Sequence, residues 1–216
     1  MTRKELVDFC KKYGIKSRGN LVYNIINSYR DITDLYLENF ESVGSRDIQT
    51  LKEKGLSVRE SGLGSLYEEL TKDIFKRLGF NVDEKLRQQL NTPRAKMDIL
   101  LNLGNKDLII VECKSVKDKD YNKYTAVSRQ LKSYQQACKK KGYHVSQVVI
   151  VSNEFTEDFI SECEYDYELS ISLITSDGLV RMLEGLKDST LKELPVRLLL
   201  KDGMLNADRI VNVLNR

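Results

Sequence analysis

The chain has 216 residues, a length that suits one ordinary domain together with a small accessory domain. Hydrophobic residues make up 41% and charged residues 31%, which excludes an intrinsically disordered chain, and a formal net charge of +3 is too small to indicate a nucleic-acid partner by itself. No apolar stretch approaches the about 20 residues of a membrane-spanning helix, and the first residues lack a secretion signal, so we expect a cytoplasmic protein.

Two short amphipathic helices are predicted at the start of the chain. Apolar residues recur at helical spacing over 4–13 and again over 20–29. Between these segments, Gly14 and Gly19 permit a tight reversal, and Asn20 can cap the second helix. The pattern therefore predicts a helical hairpin with a basic turn. Its basic residues are Lys11, Lys12, Lys16 and Arg18.

This hairpin resembles the SAP motif, a small DNA-binding helical module. The resemblance lies in Glu5-Leu6, Cys10-Lys11-Lys12-Tyr13-Gly14-Ile15, Gly19-Asn20-Leu21-Val22 and Ile25. It implies DNA contacts through the four basic residues of the hairpin and Asn20, and a role in packing alone is the alternative. Residues 31–60 are expected to hold one or two further helices, as a spacer or a second DNA-contacting element. We therefore predict a helical domain over residues 1–60.

The remaining residues, 61–216, have the pattern of an α/β domain. A helix is predicted over 65–78, followed by strands over 96–103 and 107–114 that a tight turn at Gly104-Asn105 connects. The later predicted elements are a long basic helix over 122–141, strands over 148–151 and 170–174, and C-terminal helices. Strands that alternate with helices indicate an α/β fold around a central sheet.

Charged side chains interrupt the two apolar strands. Glu112 and Lys114 point to the same side of their strand because side chains alternate between the two faces. Asp98 begins the neighbouring strand, so pairing of the two strands can bring its carboxylate close to Glu112. Two converging carboxylates repel each other, and Mg²⁺ or Mn²⁺ is the cation that all-oxygen ligands favour. An ordinary surface ion pair on an exposed edge strand is the alternative.

These residues resemble the signature of the PD-(D/E)xK nuclease superfamily. The matching segments are Met97-Asp98, Glu112-Cys113-Lys114, Gly64-Ser65-Leu66-Tyr67-Glu68 and Gln130-Leu131-Lys132-Ser133-Tyr134. Met97 departs from the motif, which has proline there. The resemblance implies a restriction-endonuclease-like core, a mixed sheet flanked by helices, and hydrolysis of DNA phosphodiester bonds with Mg²⁺, for which Mn²⁺ substitutes.

The same resemblance assigns roles to individual residues. Asp98, Glu112, Glu68 and the backbone carbonyl of Cys113 would hold the metal, and Lys114 would position the attacking water. Gln130 would lie beside the site. Glu68 is preferred to Glu69 as the helix carboxylate because it borders the apolar stripe of its helix. Arg94, Lys123 and Tyr134 are further candidates for DNA contacts.

Residues 62–216 also resemble the FokI-like cleavage domains of type IIS restriction endonucleases. Supporting features are the tyrosine-rich loop after Lys114, the segment Val149-Ile150-Val151-Ser152-Asn153-Glu154-Phe155, and the helical ending over 194–216. The resemblance implies restriction-type double-strand cleavage by a homodimer. The alternatives are a structure-selective or transposon-type nuclease and a catalytically inactive DNA-binding module.

Overall fold

The structure is a computed structural model that describes residues 2–28, 32–56, 58–93, 95–117 and 120–215. Its contacts divide the chain into two compact units, Met1–Asn39 and Phe40–Arg216, called here the smaller and the larger unit. No helix in the described residues has the length and apolar character needed to cross a membrane.

The smaller unit contains the predicted helical hairpin. Its helices are α1 (Arg3–Lys12), α2 (Leu21–Ser28) and α3 (Ile32–Leu37). A capping box fixes the start of α1, since Thr2 and Glu5 each accept a hydrogen bond from the other's backbone N–H. Asn20 caps α2, because its Oδ1 accepts from the N–H of Tyr23 at 3.1 Å. The side chain of Asn24 donates to the carbonyls of Lys16 and Arg18, which holds the basic turn in one conformation.

The larger unit is built on a mixed sheet, and the predicted α/β class is confirmed. Within the described ranges its strand order is β1-β2-β4-β6-β7, with β1 antiparallel to β2 and the other neighbours parallel. A separate two-stranded ladder joins β3 and β5. The strands are β1 (Ile99–Gly104), β2 (Asp107–Lys114), β3 (Asp120–Tyr121), β4 (His144–Ser152), β5 (Glu154–Phe155), β6 (Ile171–Thr175) and β7 (Gly203–Met204).

Helices cover both faces of this sheet. They are α4 (Phe40–Gly44), α5 (Ile48–Glu53), α6 (Leu63–Arg77), α7 (Glu84–Leu90), α8 (Tyr124–Lys140), α9 (Glu157–Tyr165), α10 (Ser176–Asp188) and α11 (Ala207–Leu214), with short 3₁₀ turns at Glu60–Gly62 and Val196–Leu198. Side chains of α7, α8 and α9 form one core with Leu108 and Ile110 of β2. Because strand side chains alternate, Cys113 points the other way, toward Thr71 of α6.

Helices α4 and α5 belong to the larger unit, so the division lies upstream of the boundary after residue 60 that the sequence predicts. The reason is burial: Phe40 and Val43 are fully enclosed, and the ring of Phe40 stacks on Tyr67 with centroids 4.7 Å apart. The apolar face of α4 therefore finds its partner in α6.

A buried hydrogen-bond chain reinforces this packing. The hydroxyl of Tyr67 lies 2.7 Å from Ser176 Oγ, which donates to Asn153 Oδ1 at 2.6 Å. Because the serine proton goes to Asn153, Tyr67 is the donor to Ser176. The Asn153 amide then donates to the carbonyl of Glu41 at 2.8 Å. Gly44 leaves the space for this amide, since a Cβ at position 44 would lie 2.2 Å from Asn153 Oδ1.

Replacing Tyr67 by phenylalanine should lower the free energy of unfolding by about 1–2 kcal/mol, because a buried hydrogen bond is lost while Ser176 keeps its bond to Asn153. Urea denaturation followed by circular dichroism measures the change. Tyr167→Phe is the matched control, since Tyr167 is 96% exposed. Equal unfolding midpoints for Tyr67→Phe and the wild type would contradict the role given to this bond.

Candidate active site

A charged cluster lies at the carboxyl end of β2. Glu112 is only 2% exposed, although the strand around it is apolar. The ammonium of Lys114, two residues further along the same face, donates to Glu112 Oε1 at 2.6 Å. Burial of an ion pair is costly unless further groups compensate it. The cluster therefore needs more partners than these two side chains.

Asp98 comes from the neighbouring strand. Ile99 of β1 is paired with Val111 of β2 and is the first residue of β1 in this ladder, so Asp98 directly precedes the paired region. Its Oδ2 accepts a hydrogen bond from the backbone N–H of Cys113 at 2.8 Å. The antiparallel register thus brings this carboxylate to the same strand end as Glu112.

Helix α8 supplies an amide to the cluster. The Gln130 amide donates to Glu112 Oε1 at 2.9 Å, and its oxygen accepts from Lys114 Nζ at 3.2 Å. The same amide nitrogen donates to the hydroxyl of Tyr134, which in turn donates to the carbonyl of Lys96 at 2.6 Å. Gln130 therefore holds both members of the ion pair, and Tyr134 holds Gln130.

Burial and mutual repulsion shift the proton affinities of the acidic groups. Burial, and then the negative charge of Glu112, raises the pKa of Asp98 to about 7. Burial also raises the pKa of Glu112, although Lys114 opposes the shift. Burial disfavours the charged form of Lys114, but the carboxylate of Glu112 outweighs it and raises the pKa of that ammonium. The carboxylates are thus an unfavourable pair that a further positive charge would stabilise.

The oxygen Glu112 Oε2 is buried and has no hydrogen-bond partner among the described residues. An unpartnered buried carboxylate oxygen beside a second carboxylate fits a hard divalent cation, which takes oxygen ligands and keeps several waters. No group of three or more histidine, cysteine, aspartate or glutamate side chains that could hold a metal is found in the described ranges. The side-chain donors that the cluster offers are therefore Asp98 and Glu112.

Comparison with solved structures adds a related fold to this description. No family model matches the chain, and no curated protein does. The structure of restriction endonuclease FokI matches with a TM-score of 0.53 and 17% sequence identity, over 79% of this chain and 34% of that one. The fold is that of a restriction endonuclease. This chain spans about a third of the length of the FokI structure.

Within the restriction-endonuclease fold, α6 places one of its two adjacent glutamates toward the cluster. Glu68 is half-buried, and its pKa is raised by burial and then by the charge of Asp98. Glu69 is exposed and pairs with Lys72 at 2.5 Å. The helix therefore turns Glu68, and not Glu69, toward Asp98.

The residues assigned to DNA contacts differ in their exposure to solvent. Lys11, Lys12, Lys16 and Arg18 are exposed in the smaller unit, as is the capping residue Asn20. Lys123 is exposed immediately before α8, and Arg94 lies outside the described residues. Tyr134 is only 1% exposed. The structure corrects its assignment, because the hydroxyl is used to position Gln130 and the ring belongs to the core.

Tyr121 is a neighbour of the cluster that the motifs did not single out. The β3–β5 ladder holds its ring 5.9 Å from Lys114 Nζ, within the range of a cation–π contact, and edge-on to Phe159 at 5.2 Å. The tyrosine-rich loop after Lys114 was the available sequence signal. Which of its tyrosines meets the lysine depends on a two-residue ladder that has no sequence signature.

Proposed function

We propose that this chain is a divalent-metal-dependent nuclease that hydrolyses DNA phosphodiester bonds. The observation that carries the proposal is the buried carboxylate of Glu112, with one free oxygen, between Asp98 and Lys114 at the ends of paired strands. The restriction-endonuclease fold of the chain supports it, because a solved protein of that fold is a restriction endonuclease. Likeness of fold alone does not carry a function, so the proposal depends on the site.

The cluster fits Mg²⁺, with Mn²⁺ as a substitute. Asp98 and Glu112 would hold the ion together with the backbone carbonyl of Cys113. Glu68 would have to move closer to these two carboxylates to become a further ligand. When bound, such an ion supplies a Lewis acid that lowers the pKa of water and neutralises charge on a phosphate.

Lys114 supplies a positive charge to the site from the protein itself, in addition to the charge of the metal ion. Its ammonium can orient the attacking water and stabilise negative charge that develops on the phosphate. The bonds from Gln130 to Glu112 and Lys114 restrict both side chains to one arrangement, so little reorganisation is needed during the reaction.

Exposed basic residues would hold the DNA backbone. They lie on the helical hairpin of the smaller unit and at Lys123. Contacts of this kind give an affinity that falls steeply with salt and carries little sequence information. Cleavage of both strands would require a second copy of the chain, so we include a homodimer in the proposal.

The test is a nicking assay on supercoiled plasmid with Mg²⁺, with Mn²⁺ and with EDTA. We expect the wild type to convert the plasmid to open-circular or linear form only with a divalent cation, and Asp98→Ala to leave it supercoiled. Equal behaviour of the two proteins would refute the nuclease proposal, and binding without cleavage by both would favour an inactive DNA-binding module. Linear duplex, four-way junctions and single strands as substrates then separate restriction-type from structure-selective cleavage.

The two neighbouring glutamates of α6 give a paired prediction. Glu68→Gln should slow nicking by roughly tenfold or more, because the α6 glutamate that faces Asp98 loses its charge, whereas Glu69→Gln should change the rate by less than about twofold. Initial rates at saturating Mg²⁺ measure both variants. A larger loss with Glu69→Gln than with Glu68→Gln would show that the wrong carboxylate has been placed in the site.

A further inference from the structure

Arg46 has an unusual backbone conformation for an arginine. It follows α4 with a φ of 58°, in the left-handed region. Its N–H donates to the carbonyl of Val43, and the N–H of Asp47 donates to Ser42, which is the Schellman pattern of a helix end. Glycine is favoured at this position because a side chain strains the left-handed backbone. An arginine at this position therefore lowers the stability of the backbone, and an interaction of its side chain would account for its presence.

The side chain of Arg46 reaches the residue that follows β2. Its Nε donates to Ser115 Oγ at 3.2 Å, and Ser115 directly follows Lys114. A Cβ at position 64 would lie 3.6 Å from Arg46 Nη2, so the guanidinium also borders the first turn of α6, one helical turn before Glu68. The guanidinium therefore lies between the end of β2 and the start of the helix that carries Glu68.

The charge of Arg46 is not compensated within the described part of the chain. Its side chain is half-buried, and no carboxylate in the described ranges forms an ion pair with it. Only Nε makes a hydrogen bond there, so the two terminal nitrogens offer their N–H groups to a ligand. A planar guanidinium with two adjacent free donors matches two oxygens of a phosphate.

We propose that Arg46 binds a backbone phosphate of the DNA strand next to the phosphate that is cleaved. This inference rests on the proposed nuclease function and adds to it a residue from outside the four matched motifs. The contact fixes the register of the strand across the cluster, which makes Arg46 a positioning residue. A structural tie to Ser115 is the competing explanation.

Variants of Arg46 and Ser115 separate these explanations. Arg46→Gly removes the guanidinium and relieves the left-handed backbone, and Arg46→Lys keeps a charge without the planar fork. Ser115→Ala removes the hydrogen bond from Arg46 and the 3.5 Å bond that Ser115 Oγ donates to the carbonyl of Val43. All are made in the full chain that carries Glu112→Gln, which prevents cleavage. The probe is a fluorescein-labelled duplex of roughly 30 base pairs, and anisotropy is recorded over a series of KCl concentrations.

The phosphate contact predicts that Arg46→Gly weakens binding by roughly fivefold to tenfold and lowers the slope of log K against log salt by about one. Its urea midpoint should be no lower than that of the parent. Arg46→Lys should keep the slope, and Ser115→Ala should change neither slope nor affinity by more than about twofold.

An unchanged slope for Arg46→Gly while the parent binds DNA would overturn this inference and leave the nuclease proposal intact. A loss of binding by Ser115→Ala equal to that of Arg46→Gly, with lower urea midpoints for both, would establish the structural explanation instead. Absence of DNA binding by the parent and by the wild type would overturn both the nuclease proposal and the role of Arg46.

Discussion

Replacing Lys114 by methionine should lower the rate of plasmid nicking by a factor on the order of 10³, while DNA affinity stays within about threefold of the wild type. The ammonium is a single charge in a partly buried site, where water screens it poorly and its effect on a developing negative charge is large. Methionine has nearly the same length and keeps the apolar contacts of the stem. Nicking rates at saturating Mg²⁺, with anisotropy for affinity, measure the two effects separately.

A control variant and a second measurement on Lys114→Met show whether this effect is specific to the position. Lys201→Met removes an exposed lysine ahead of β7 and should nick at the wild-type rate. Lys114→Met should also bind the divalent cation at least as tightly as the wild type, because the ammonium 2.6 Å from Glu112 repels a cation. A Lys114→Met protein that nicks within tenfold of the wild type would remove lysine from the mechanism.

Replacing Asp98 by asparagine should stabilise the metal-free protein at pH 8, on the order of 2 kcal/mol. The unfolded aspartate ionises near pH 4, whereas burial and Glu112 raise the pKa of the folded residue to about 7. Between these values the folded state keeps a proton that the unfolded state releases, so wild-type stability falls as the pH rises. Asparagine has no such titration, and its amide oxygen can still accept from Cys113.

The advantage of Asp98→Asn should therefore be small near pH 4, grow up to about pH 7 and stay constant above it. Urea denaturation in EDTA at several pH values measures this difference. Glu69→Gln is the control, since it changes an exposed carboxylate that lies outside the cluster. If the stability of the wild type instead rises relative to Asp98→Asn as the pH increases from 4 to 7, the pKa of Asp98 is not raised in the folded protein.

Divalent cations should reverse the order of stability. A divalent cation held by Asp98 and Glu112, as proposed, would bind the folded state alone. Mg²⁺ or Ca²⁺ should then raise the melting temperature of the wild type at pH 8 and leave Asp98→Asn nearly unchanged. KCl at the same ionic strength controls for screening. Equal stabilisation of both proteins by the divalent cation would place the ion elsewhere.

Much of this site follows from local patterns in the sequence. The period of two along a strand places Glu112 and Lys114 on one face, and the short turn at Gly104 fixes the register that brings Asp98 to Cys113. The helical period likewise orients Glu68 on α6 and Gln130 on α8. These features could be predicted because each depends on residues close together in the chain or on one alternating pattern.

Other features depend on packing between distant segments. Local sequence could not show that α4 and α5 join the larger unit, because the stacking of Phe40 on Tyr67 is set by the folded chain. Short elements such as α7, β3, β5 and β7 have too few residues for a periodic signal, so where they form depends on contacts with other elements as well as on local caps such as Asp83 at α7.

The sequence of this chain thus specified an α/β fold and the residues Asp98, Glu112, Lys114 and Gln130 that the fold brings together. Only the tertiary structure buried Tyr134 behind Gln130 and carried Arg46 to the end of β2. The physical reason is that a repeating pattern determines which face of an element is apolar, whereas the neighbour of each polar side chain depends on how all the elements pack.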